Sequence, residues 1–129
     1  MLAPVSDEEI RAKLEHHWET AGDTDQGPAH AIYDEDCVVD WPQSGERIRG
    51  RDNLQALRSA YPAKLEFSVR RIVGGGDLWI TEYVISYSGK PVNVVSIMEF
   101  REGLVARETH YFADPFEAPA WRSRWVEPM

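Results

Sequence analysis

The hydrophobic period changes at Lys64. Before it, apolar residues recur three and four positions apart; after it, four segments alternate with period two. They are KLEFSVRRIV, LWITEYVISY, VNVVSIMEF and LVARETHYF, separated by the turn signals GGGD, SGKP and REG. A chain with helices first and a strand meander second folds as an α+β domain in which helices cover one face of a curved antiparallel sheet. With 129 residues there is room for one hydrophobic core, so residues 1–129 are read as one domain.

The N-terminal half supplies three helices. Ser6 with Glu9 forms a capping box, and Ile10, Leu14, Trp18 and Ala21 follow on one face until Gly22. A second, shorter helix is expected from about Asp25 to Tyr33, with Gly27 and Pro28 confined to its first turn. CVVDWP then reads as a short extended segment and QSGERIRG as a turn and ribbon. Asp52 to Tyr61 is the third helix, stopped by Pro62.

Composition narrows the function classes. The net charge of −8 opposes a polyphosphate partner, so nucleic acid is not expected, and Arg122 and Arg124 between Trp121 and Trp125 read as part of a tail, 114–129, packed on the domain or on a dimer partner. No apolar run approaches the roughly 20 residues of a membrane span. MLAPVSDEEI lacks the pattern of a secretory leader, which makes a cytoplasmic location the expectation. Cys37 is the single cysteine and is read as a buried thiol. His16 and His17 are consecutive on a helix and diverge by about 100°, and GGG precedes a strand, not a helix. Neither a metal site nor a cofactor is expected.

Register locates the candidate site. If Gly89 and Lys90 are the centre of one hairpin, Tyr83 opposes Ser96; if Arg101, Glu102 and Gly103 form a three-residue loop, Ser96 opposes Glu108 and Val94 opposes His110. One face then carries Trp79, Thr81, Tyr83 and Ile85, then Val94, Ser96, Met98 and Phe100, then Leu104, Ala106, Glu108, His110 and Phe112. A two-residue loop at the second turn would send Glu108 and His110 to the opposite face. On the covered face, Tyr83, Ser96 and Glu108 form a polar row inside an apolar surround, with His110 beside it as a second proton carrier. Two readings stay open for this pair: acid/base chemistry on a small apolar molecule, or a polar lining that only binds. Asp40 is a secondary candidate acid, and Trp18, Tyr33, Trp41, Trp79 and Phe112 are candidate cavity walls, with Tyr83, Ser96 and Met98 on the floor. The other face, with Val95, Ile97, Val105 and Tyr111 among polar residues, suits a homodimer contact.

The capped helix ending in AGD, then YDEDCVVDWP, SGERIRGRDNL and EFREG…ARETHYFADPF, together resemble the nuclear transport factor 2-like superfamily in its SnoaL-like, polyketide cyclase-like branch, over about Ser6 to Phe116. The resemblance implies a cone-shaped, cystatin-like α+β barrel, usually dimeric, whose members include cyclases, ketosteroid isomerases, epoxide hydrolases and non-catalytic binding proteins. In the isomerase pattern an Asp base precedes the proline of VVDWP, where this chain has Trp41, with Asp40 one position earlier and pointing the other way. The isomerase's oxyanion Asp falls on Ser96 and its first-helix Tyr near Glu15, which argues against steroid isomerisation. The cyclase-like pattern places an acid at His110 and a His at Glu108, so the pair is present with its types exchanged. Cofactor-independent cyclisation, isomerisation or hydration of an oxygenated apolar molecule would fit; a binding module or dimeric scaffold of the same fold is the alternative.

Overall fold

The computed structural model describes residues 4–129; the first three residues of the stretch read for a leader lie outside the described residues. Helix α1 spans Asp7–Thr20, where the Glu9 amide donates to the Ser6 hydroxyl at 3.2 Å and Ile10, Leu14, His17 and Trp18 form the buried stripe. A single turn, α2 (Gly27–His30), leads into β1 (Tyr33–Trp41) and β2 (Glu46–Arg49); α3 spans Arg51–Ser59. Strands β3 (Leu65–Gly75), β4 (Leu78–Tyr87), β5 (Lys90–Arg101) and β6 (Leu104–Ala113) complete a six-stranded sheet of order β2-β1-β6-β5-β4-β3. The helices cover its concave face. Among the described residues no helix is long and apolar enough to cross a membrane.

Local propensity gives way to sheet pairing at Tyr33. The second helix, expected to run to Tyr33, ends at His30, because the Val105 amide donates to the Ile32 carbonyl at 2.9 Å and Tyr33 pairs with Val105. Long-range pairing thus draws the chain into β1 four residues before Cys37, where an extended segment was expected. The β1–β6 pairing is parallel, the one departure from an antiparallel sheet. An irregularity between Tyr33 and Val38, with the Asp36 amide turned onto the Asp34 carboxylate at 2.9 Å, makes this first stretch of β1 read as a loop.

Both hairpins close differently from expectation, with a common outcome. Ser88 and Gly89, with φ of 52° and 84°, form the first turn, so Tyr87 pairs with Lys90 and Tyr83 with Val94. That slip of two residues preserves every face. At the second turn Glu102 and Gly103, with φ of 53° and 79°, form a two-residue connection and Arg101 pairs with Leu104. A register shift follows at once, because Phe100 pairs with Val105 and Glu99 with Arg107, leaving Ala106 as the extra residue of a bulge. Beyond the bulge Met98 pairs with Glu108 and Ser96 with His110. The short turn reverses the faces and the bulge restores them, so Glu108 and His110 are buried on the helix-covered side. Leu104 and Ala106, expected on that face, yield it to Val105, which is core instead of part of the outer surface.

In the tail, Phe116, Trp121 and Trp125 are exposed, with Arg124 over the Trp125 ring at 5.0 Å. The outer sheet face leaves Val73, Leu78 and Tyr111 exposed, while Val69, also exposed, pairs with Tyr83 on the concave side.

Gly103 sets the β5–β6 register and has no room for a side chain: a Cβ there would stand 2.8 Å from a Val5 methyl, at a backbone φ of 79°. Gly103→Ala is therefore expected to destabilise the fold by about 1–3 kcal/mol in denaturant unfolding. An unchanged midpoint would show that the turn tolerates another geometry.

Candidate functional site

A cavity of about 750 Å³ opens between the C-terminal end of α1, α3, the β1–β2 turn and the concave sheet face. Trp18, Trp41, Tyr83 and Phe112, four of the candidate wall and floor residues, line it, together with His110. Trp79, Met98, Tyr33 and Ser96 do not line it. Trp79 is buried elsewhere, with its indole N–H on the Gly76 carbonyl at 3.0 Å and the Arg11 guanidinium 5.4 Å above its ring. Met98 is core on the inward face of β5, paired with Trp79 on one side and Glu108 on the other. Tyr33 and Ser96 stand behind the wall as partners of Glu108.

The centre of the site is the Glu108 carboxylate, which has no solvent exposure. One oxygen accepts from the Tyr33 hydroxyl at 2.5 Å, and the other from the Ser96 hydroxyl at 2.5 Å and from His110 Nε2 at 3.1 Å. The Arg58 guanidinium lies 3.8 Å from the first oxygen. Burial alone would raise this carboxyl's pKa, but His110, Arg58 and Ser96 together hold it far below the usual carboxylate range. Both Glu108 oxygens act as hydrogen-bond acceptors in this network. Tyr83, expected to orient it, makes no hydrogen bond to it; Tyr33 takes that role from β1. The Tyr33 and Tyr83 phenols are both pushed well above their ordinary pKa, first by burial and further by the Glu108 charge.

His110 joins this carboxylate to the cavity. Its Nδ1 accepts from the Trp41 indole N–H at 3.2 Å. Indole can only donate, so the imidazole is the neutral tautomer with its proton on Nε2, donated to Glu108, and its lone pair on Nδ1. Trp41 reaches it because alternation along β1 points Trp41 inward and Asp40 outward. The outward direction removes Asp40 from the chemistry. Its carboxylate is held on the opposite face by Arg47 at 2.6 Å and by Arg107 at 2.7 Å, and Arg47 first among these contacts lowers its pKa.

Three residues enter that sequence reasoning did not assign to the site. Arg58 on α3 donates to Tyr33 Oη and to His30 Nε2, both at 3.2 Å, and its side chain is one quarter exposed, toward the cavity. His30 Nδ1 in turn donates to the Gln26 carbonyl at 2.6 Å. His17 also lines the cavity and donates from Nδ1 to the Ala29 carbonyl at 2.6 Å. Burial lowers His17 to about 4 and, with Arg58 beside it, His30 to about 4. The signal for both new cavity residues was positional: Arg58 follows Leu54 by four residues, and His17 follows Leu14 by three and Ile10 by seven, each on the buried face of its helix. No group of three or more His, Cys, Asp or Glu suited to a metal ion occurs among the described residues. Cys37 is buried, and burial, with Glu108 nearby, raises its thiol to about 11.

Comparison with known proteins agrees with this architecture. A family model described as a SnoaL-like domain matches residues 14–108. Among solved structures, an NTF2-like protein of unknown function from Burkholderia xenovorans LB400 is 58% identical, with 96% of this chain and 98% of that chain covered and a TM-score of 0.88. A protein from Kribbella flavida DSM 17836 proposed to be a ketosteroid isomerase is 26% identical over 96% of this chain and 93% of its own, with a TM-score of 0.86. An epoxide hydrolase from M. tuberculosis, at 23% identity, 84% and 85% coverage and a TM-score of 0.68, shares the fold. None of the curated proteins compared with the chain matches it.

The two depressed histidines set a pH dependence. Below about 6.5 the unfolded chain takes up protons at these positions while the folded chain does not until about 4, so stability falls as pH drops through that window. The slope is at most about 1.4 kcal/mol per pH unit for each histidine. Glu108 adds its own loss as pH falls through and below the ordinary carboxylate range, where the unfolded chain takes up a proton and the folded carboxylate does not. Unfolding curves for a His17→Gln, His30→Gln double variant between pH 4.5 and 7 should be flatter than those of the parent; parallel curves would contradict the assignment.

Proposed function

Because the chain belongs to the SnoaL-like domain family, the chemistry of that fold is the starting point, and we propose that this member moves a proton on a small apolar oxygenated molecule without a cofactor. His110 is the general base, acting through Nδ1, and Glu108 is its positioning residue. The single observation that carries this is the chain of donation from Trp41 to His110 to Glu108, which leaves the histidine lone pair at the cavity wall and a buried anion behind it. When Nδ1 takes a proton from substrate, the imidazolium is stabilised by the ionised carboxylate; when it returns the proton elsewhere on the substrate, the neutral tautomer is restored. Trp41, half-buried at the rim, releases its bond to Nδ1 as the ligand enters. The aromatic wall of Trp18, Tyr83 and Phe112 excludes water and receives the apolar skeleton. Cyclisation, isomerisation and hydration all share such a proton-transfer step.

A second reading, a binding module, is favoured by one observation: the Trp41 indole already occupies the base. Turnover separates the two. Exchange of the acidic C–H protons of 2-tetralone in deuterated water, followed by NMR, is expected to be accelerated by the protein and to fall about 10²- to 10⁴-fold in His110→Gln. Glu108→Gln should lower the rate in the same sense with little change in KM, provided circular dichroism shows it folded. Exchange that is indifferent to both substitutions would leave the module. Pairing of two copies across the outer sheet face, where Val73, Leu78 and Tyr111 are exposed, belongs to the same proposal. Native mass spectrometry at micromolar concentration should give a dimer, and a monomer would remove it.

A further inference from the structure

Resting on the reading of this cavity as the ligand site, the arrangement of Arg58 and His17 points to the class of ligand. Arg58 carries five N–H donors, and the structure uses those of one terminal nitrogen, Nη1, on His30 and Tyr33. Its other terminal nitrogen, Nη2, stands 3.8 Å from Glu108, beyond hydrogen-bond reach, and neither Nη2 nor Nε has a hydrogen-bond partner among the described residues. The guanidinium edge is therefore presented to the cavity with donors unmatched, and a planar, two-toothed donor is the complement of a carboxylate. The buried negative charge beside it, Glu108, is shared with His110, Tyr33 and Ser96, and Asp23 and Asp114 also line the cavity.

His17 supplies the opposite polarity. Its ring is only 3% exposed, and its Nδ1 proton is committed to the Ala29 carbonyl. The neutral ring then has its lone pair on Nε2, which meets no donor among the described residues although His17 lines the cavity. Among the described residues no side-chain nitrogen or oxygen is both fully buried and unpartnered, so Nε2 opens onto the cavity, where a ligand hydroxyl can donate to it. The remaining wall is largely apolar, formed by side chains such as Leu57, Phe67, Ile85 and Phe112.

We propose that the cavity selects a hydroxylated apolar carboxylate, its ionised oxygens on Arg58, a hydroxyl on His17 Nε2, and its skeleton along the aromatic wall. Neither residue needs to move a proton for this, so both are specificity-determining residues. Lys64, the other basic residue at the cavity mouth, is the rival site for the carboxylate.

The test uses the purified chain and four probes of two-ring size: 2-naphthoate, its neutral counterpart 2-naphthalenemethanol, and the 3-hydroxy and 6-hydroxy derivatives of 2-naphthoate. By calorimetry the wild type should bind 2-naphthoate at least about tenfold more tightly than the alcohol. That preference should disappear in Arg58→Gln and persist in Lys64→Gln. At least one hydroxynaphthoate should bind more tightly than 2-naphthoate, and the gain should vanish in His17→Phe. If Arg58→Gln does not fold, the Arg58 Nε–H resonance of the wild type decides: 2-naphthoate should shift it and the alcohol should not. Equal binding of acid and alcohol, binding of neither, or a preference that follows Lys64 overturns the proposal. The deuterium-exchange experiment reads His110 independently, so loss of the carboxylate preference with exchange intact removes this inference alone, and the converse result removes only the catalytic reading.

Discussion

A carboxylate with no solvent exposure is stable as an anion only when its lone pairs are met, and Glu108 is met from four elements of the fold: Tyr33 on β1, Ser96 on β5, His110 on β6 and Arg58 on α3. The consequence is structural before it is chemical. Removing one partner of such a buried pair costs on the order of 3–5 kcal/mol, because the charge left behind has no water to replace it. The network therefore holds α3 against the sheet and ties the first strand to the last. It also imposes an orientation on His110 that no local feature of β6 would impose.

From that constraint the site acquires its polarity. Donation runs inward to Glu108 along two routes, from Trp41 through His110 and from Arg58 through Tyr33. One route begins at the Trp41 indole on the cavity wall, the other at the Arg58 guanidinium. His110 and Arg58 thus flank one carboxylate and line the same cavity, and on the proposed reading a proton leaves a substrate where a developing negative oxygen is welcome. The aromatic wall lowers the local dielectric and strengthens both effects.

Much of this was legible in the sequence, but unevenly. The change of period at Lys64 gave the strands, and alternation on β6 identified Glu108 and His110 as neighbours on one face. Their assignment to the covered face was correct although the turn that supported it was not: a two-residue connection at Glu102 and Gly103 replaces the three-residue loop, and the bulge at Ala106 makes up the difference. A bulge in an otherwise regular strand leaves little trace in the residues themselves, since it is a property of the pair. Tyr33 was read into a helix for a related reason, as its partner Val105 lies 72 positions away. Asp40 and Trp41 show the opposite case, where strand alternation alone separates an outward carboxylate from an inward indole. Arg58 was hidden by its type, since an arginine among leucines on a helix reads as a surface residue until the helix face is counted.

The account depends most directly on the protonation geometry of one ring. Selective ¹⁵N NMR of the His110 imidazole in the ligand-free protein at neutral pH should show a protonated, pyrrole-type Nε2 and an unprotonated, pyridine-type Nδ1, with the Nε2 proton coupled across the hydrogen bond to Glu108. A protonated Nδ1 with a bare Nε2 would place the lone pair against the carboxylate and the proton in the cavity, which contradicts the assignment of His110 as a base held by Glu108.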